Sequence, residues 1–265
     1  MNRARLLACA ALAAAFPAAA FAQGFAALVS PPRFELAVKP GERLREVMEI
    51  TNASAQAARF RLKTADWALD DTAAVKFDDT LKPGSCRPWV AIESRQITVT
   101  PGGKYRYRFE IAPPPDTPAG ECRFAILIEG DDQNVQTPGG PAFPISGRLG
   151  VIVYVTFGGA EPKLEVVGAR VAAINAEDVP VMMVKNTGNA HGRLAGFLSG
   201  TDAAGAKVEF TPATLPILPG ETRAISLVPY KERDEPVKIA FPITVRGKLE
   251  WGDGKSMPFE QKFAK

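Results

Sequence analysis

From residue 24 onward, apolar and polar positions follow the two-residue period of a β-strand. The clearest case is residues 104–111. Tyr105, Tyr107, Phe109 and Ile111 fall on one face, and Lys104, Arg106, Arg108 and Glu110 fall on the other. That alternation predicts a half-buried antiparallel strand and excludes a helix. Shorter extended runs are expected at 34–38, 43–51 and 59–67. Ile92, Ile97 and Val99 lead into a turn at Pro101-Gly102-Gly103, and residues 122–129 read as a nearly continuous apolar strand. After a polar Gly/Pro-rich loop at 130–141, residues 142–157 read as one unusually long strand. Phe143, Ile145, Gly147, Leu149, Val151, Val153, Val155 and Phe157 occupy its odd positions.

Beyond a Gly/Pro break at 158–162, seven more strands are expected, at 164–171, 179–185, 193–199, 206–210, 221–228, 237–251 and 257–263. Asn186-Thr187-Gly188-Asn189, Pro219-Gly220 and Gly252-Asp253-Gly254 are among the turns between them. Seven short strands in about 100 residues suit an immunoglobulin-like sandwich. Both halves carry a strand ending in Asn (Ile50-Thr51-Asn52 and Val184-Lys185-Asn186) and a Pro-Gly turn before an alternating strand. The expected fold is all-β: two tandem immunoglobulin-like β-sandwich domains, at 23–158 and 159–265.

Residues 1–22 read as a signal peptide. Arg3 and Arg5 precede an Ala/Leu run, which closes on Ala20-Phe21-Ala22, a site of the small-x-small form. Export is therefore expected, with no membrane span elsewhere. Removing the leader leaves 30 basic against 29 acidic residues. A nearly neutral chain argues against nucleic acid as the partner. Export also removes Cys9, leaving Cys86 and Cys122, 36 positions apart. An even pair in an oxidising compartment points to a disulfide, the alternative being two buried thiols. A single histidine, His191, excludes any mechanism that needs two and is expected on an exposed turn. Asp70-Asp71 and Asp78-Asp79 lack a calcium-loop spacing, and no hydrolase or nucleotide-binding motif is present. No cofactor, metal or enzymatic activity is expected.

Several segments together resemble the two-domain periplasmic pilus-assembly chaperones of the PapD type. They are Ser30-Pro31-Pro32-Arg33-Phe34, Ile50-Thr51-Asn52, Thr100-Pro101-Gly102, Pro118-Ala119-Gly120-Glu121-Cys122, the stretch 142–157, Lys185-Asn186-Thr187-Gly188 and Leu215-Pro216-Ile217-Leu218-Pro219-Gly220. The resemblance implies a periplasmic chaperone that lends a strand to a pilin-like secreted subunit and passes it to an outer-membrane usher. It also implies that Arg33 grips the subunit's terminal carboxylate together with a cation on the long strand. The family has a Lys there; this chain has none, and Arg148 is the nearest cation. The donor side chains would be Phe143, Ile145, Leu149, Val151 and Val153, partly exposed in the free protein. The alternative is a two-domain envelope or adhesion module whose long strand is ordinary core.

Overall fold

The computed structural model describes residues 25–265 except 71, 132, 137–139, 141 and 231–236. The leader therefore lies outside the described residues. Among the described residues the only helix is a 3-10 turn, Arg87–Trp89, and no helix is long and apolar enough to cross a membrane.

The first β-domain contains β1 (Ala27–Ser30), β2 (Arg33–Ala37), β3 (Leu44–Asn52), β4 (Ala58–Leu69), β5 (Val75–Asp78), β6 (Val90–Ile92), β7 (Gln96–Val99), β8 (Lys104–Ile111), β9 (Gly120–Gly130), β10 (Gln133–Gln136), β11 (Ala142–Ile145) and β12 (Arg148–Phe157). One sheet has the order β1-β3-β8-β6; the other runs β2-β12-β9-β4-β5, with β7 also paired to β4. Pro31 and Pro32 explain how the first segment serves both sheets. Proline has no N–H to give to a ladder, so pairing must lapse there. The chain leaves β3 at Ser30 and resumes at Arg33 as a parallel partner of β12.

The predicted alternation of β8 is observed: Tyr107, Phe109 and Ile111 are buried. They meet Phe34, Phe124, Ile126, Val151 and Val153 from the facing sheet in one core. The apolar run of β9 is buried on both faces. Phe124, Ile126 and Ile128 join that core, whereas Ala125 and Leu127 pack outside it with Trp67 and Tyr154. Cys86 and Cys122 are both buried and joined by a disulfide.

The stretch 142–157 is not one strand. It divides into β11 and β12 at Ser146-Gly147. A Cβ on Gly147 would lie 2.0 Å from the side chain of Phe25, so the chain bends where that early phenylalanine packs. Phe25 in turn meets Phe60 edge-on and covers the open end of the core. The expectation of exposed odd side chains also needs correcting. Val151 and Val153 are fully buried in their own domain, and Leu149 is partly buried at its margin. The cause is the face they occupy: Val151 and Val153 point at the other sheet and pack with Tyr107, Phe109 and Ile111 in its core. The side chains of Phe143 and Ile145 lie outside the described residues.

The second β-domain has seven strands, β13 (Leu164–Ile174), β14 (Glu177–Asn186), β15 (Leu198–Thr201), β16 (Lys207–Pro212), β17 (Thr222–Pro229), β18 (Ile243–Trp251) and β19 (Lys255–Phe263); β15 begins only near the end of the expected 193–199, and β18 only at Ile243. They form one ladder, β13-β14-β17-β16-β15-β18-β19, whose two end strands approach each other. The ladder thus folds over a core that includes Met182, Val184, Phe210, Ile225 and Val245.

The Asn motif shared by the two halves has a structural meaning. Asn52 and Asn186 are both fully buried. The Asn52 amide donates to the carbonyls of Gln56 and Val99, and its oxygen accepts from the Ser54 N–H. The Asn186 amide donates to Ala190 and Ile217, and its oxygen accepts from the Gly188 N–H. Each Asn thereby ties a strand end to the approach of its domain's Pro-Gly turn. Removing either side chain would strand buried polar groups, at about 1–3 kcal/mol each.

Candidate functional site

A cleft of about 560 Å³ opens where the first domain's β2 and β12 meet the second domain's loops. Its chemistry follows from strand parity. Ile152 lies opposite Arg33 and Tyr154 opposite Glu35 in the parallel register. Paired residues of neighbouring strands share a face. The core takes Phe34 and Val153, so Arg33, Glu35 and Tyr154 turn outward and line the cleft.

The second domain answers with His191 and Arg193, which follow β14 directly in the chain. The His191 ring stacks on Tyr154 with centroids 3.8 Å apart. Its Nδ1 lies 2.5 Å from Glu121 Oε2, and its backbone N–H donates to the same oxygen at 2.9 Å. Its Nε2 lies 2.7 Å from Arg193 Nη1. A guanidinium can only donate, so in the neutral ring Nε2 is the acceptor and Nδ1 carries the proton given to Glu121; protonation places a second N–H on Nε2, 3.6 Å from Glu35 Oε1. Arg193 Nη1 also donates to Glu35 Oε1 at 2.7 Å, while Nη2 reaches the Tyr154 hydroxyl at 3.3 Å. Arg33 Nε sits 2.9 Å from that same Glu35 oxygen. Further contacts tie the domains: the Asn189 amide donates to the Ala119 carbonyl, and Arg223 to the Asp70 carbonyl. Leu218 packs on the Trp67 and Tyr154 cluster.

These contacts shift two acid–base groups in opposite directions. Hydrogen bonding to His191 is the main cause holding the Glu35 carboxyl down at about 2, with Arg193 and Arg33 assisting against partial burial. Burial pushes the His191 imidazole down, but hydrogen bonds to Glu121 and Glu35 outweigh it and raise its pKa overall. Glu121, Glu35 and Arg193 face the ring directly, and Arg123 stands behind Glu121. The folded state therefore holds the His191 proton to higher pH than the unfolded chain does. Its stabilisation is complete below about pH 6.5 and is lost as pH rises through the folded pKa. The Glu35 contribution is present above about pH 4.5 and is lost as pH falls toward 2. Melting temperature is accordingly expected to drop as pH rises above about 6.5, with a smaller drop in His191→Phe. An equal slope in both proteins would show that His191 does not carry the effect.

The structure separates the two expected clamp residues. Arg33 lines the cleft. Arg148 sits four positions before Ile152 on β12, roughly 13 Å along a strand. There it pairs with Glu129 at 2.8 Å, outside the cleft. His191 is likewise not on an exposed turn: its side chain is 9% exposed, held between the domains. Glu121 belonged to a recognised segment but with no role in a site, and Glu35, Tyr154 and Arg193 carried no local signal in the sequence. They come from four segments that only the fold brings together.

The fold, two β-domains in tandem, is PapD-like and is shared with solved pilus chaperones. In one solved structure of this kind, described as a chaperone–tip adhesin complex in CFA/I fimbriae biogenesis, the matching chain is 13% identical. The match covers 89% of this chain and 98% of that one, with a TM-score of 0.50. The YadV chaperone is 9% identical, with 89% and 98% covered and a TM-score of 0.48. The CupB2 chaperone of Pseudomonas aeruginosa is 12% identical, with 89% and 100% covered and a TM-score of 0.46. No protein-family model matches the chain. No curated protein matches it either.

Proposed function

We propose that this chain is a periplasmic chaperone, with domains at 23–158 and 159–265, that binds a pilin-like secreted subunit through its β11–β12 segment and delivers it to an outer-membrane usher. One observation carries this reading. β11 pairs with β10 on one side only, and β12 pairs with β2 only from Ile152 onward. Among the described residues, the backbone from Ala142 to Val151 thus has an unpaired side. An unpaired strand edge is a template for a strand from another chain. Burial of Val151 and Val153 narrows the lent side chains to Phe143, Ile145 and Leu149. The same segment leads along β12 toward the cleft, where Arg33 is half exposed beside Glu35 and within reach of a terminal carboxylate. Guanidinium suits that task because its planar fork matches a carboxylate.

The test is co-expression in a bacterial periplasm with the pilin-type subunit encoded beside the chain. A 1:1 complex on gel filtration is expected, along with a subunit that survives only in the chaperone's presence. Arg33→Ala should weaken capture by at least tenfold, the worth of one charge-assisted hydrogen bond. Its melting temperature should hardly move, because the exposed Arg33–Glu35 pair contributes little. A subunit that accumulates equally well alone, with no complex, would leave the chain as an envelope module.

A further inference from the structure

We infer that Arg193, from the second domain, is the other half of the carboxylate receptor, and that Glu35 is a built-in stand-in for the carboxylate the receptor takes. That the incoming group is a subunit's C-terminus rests on the chaperone reading above. Recognition of a carboxylate rests on the geometry alone.

Two guanidiniums, one from each domain, converge on a single oxygen. Arg33 Nε and Arg193 Nη1 lie 2.9 and 2.7 Å from Glu35 Oε1. One carboxylate thus serves two cations. Of the other charged groups of the cleft, Lys255 pairs with Glu161, while His191 pairs with Glu121 through Nδ1 and presents Nε2 to the same Glu35 oxygen from 3.6 Å. Asp253 lies on the exposed turn between β18 and β19. The positions beside Arg33 on β12 are Ile152 and Tyr154, neither of them a cation. Arg193 fills the space over Tyr154, its guanidinium carbon 5.4 Å from the ring centroid. It is only 19% exposed, held by Tyr154 and His191, whereas Glu35 is 46% exposed and can swing away. A fixed, partly desolvated guanidinium beside a mobile carboxylate is a site built to exchange one carboxylate for another.

Glu35 then sets the affinity. With Glu35 in place an external carboxylate must displace it. With Glu35 neutral the two guanidiniums face the newcomer unopposed. A strand-bound client supplies its carboxylate at high local concentration and wins this exchange. Free peptides do so poorly.

The experiment uses the whole mature chain and the dipeptide N-acetylglycylglycine, as free acid and as amide. Binding is read from the Nε–Hε NMR signals of Arg33 and Arg193, assigned with lysine variants. Glu35→Gln should bind the acid about tenfold more tightly than wild type, with the Arg33 and Arg193 signals both moving and the amide moving neither. Arg193→Gln placed on Glu35→Gln should abolish the gain, with its melting curve recorded to confirm a folded protein. Arg193→Lys on the same background should restore part of the gain, since it keeps the charge without the fork. Acid binding by Glu35→Gln no tighter than wild type would overturn the stand-in. Amide binding as tight as the acid, or an Arg193 signal that stays still, would overturn the receptor. No client is needed. A positive titration with no subunit capture would sink the chaperone reading alone, and normal capture with a flat titration would sink this inference alone.

Discussion

Val151→Asp is expected to unfold the first domain, whereas Leu149→Asp should leave the protein folded and abolish subunit capture. The two residues are neighbours on one face of β12, yet their surroundings differ. Val151 is fully buried in the core between the two sheets. A carboxylate there has no partner, and the cost is on the order of 4 kcal/mol or more, a large part of a domain's total stability. Leu149 stands at the margin, beyond the reach of β2 and near the opening covered by Phe25. A charge there can turn to water, but it would meet the apolar groove of an incoming subunit. Circular-dichroism melts beside co-purification separate the cases. A Val151→Asp protein that melts like wild type would contradict its place in the core. Normal capture by Leu149→Asp would remove that position from the lent segment.

Replacing Cys86 and Cys122 together by alanine is expected to lower the melting temperature by roughly 10 °C. The bridge links positions 36 apart in sequence, and such a loop restricts the unfolded chain by about 3–4 kcal/mol. For a domain of this size, each kcal/mol moves the midpoint by a few degrees. Both sulfurs are buried, so the double substitution also leaves a small void that adds to the loss. A shift under about 3 °C in a thermal melt would show that the bridge adds little. Free thiols detected by alkylation of the wild-type protein would show that it does not form.

Strand positions were legible in the sequence because a half-buried strand must alternate. The β8 pattern and the seven strands of the second domain follow from that rule alone. The meaning of the shared Asn motif was half legible. Its recurrence was visible, but beside a carbonyl four positions away each Asn serves one that is 47 or 31 positions away. Parity along residues 149–157 was also read correctly, yet parity cannot say what covers each face of a strand. The face that carries Val151 and Val153 is covered by the facing sheet, and so both proved to be core. The cleft was the least legible part. His191 looked like an isolated turn residue because its partners, Glu121 and Tyr154, belong to the other domain. Arg193 had no local pattern at all.

The sheet change at Pro31-Pro32 also bears on the order in which the domain can assemble. β2 is among the first elements made, and its partner residues 152–156 are among the last of the domain. The Thr156 hydroxyl, for example, donates to the Leu36 carbonyl across 120 positions. A chain emerging from its N-terminus can form the β3–β8 pairing, and even the Cys86–Cys122 bridge, while β2 is still without a neighbour. Closing so distant a pair carries the largest loop entropy in the domain. The strand that carries Arg33 and Glu35 is therefore the last of its domain to be seated, and the cleft waits further for His191 and Arg193 to emerge.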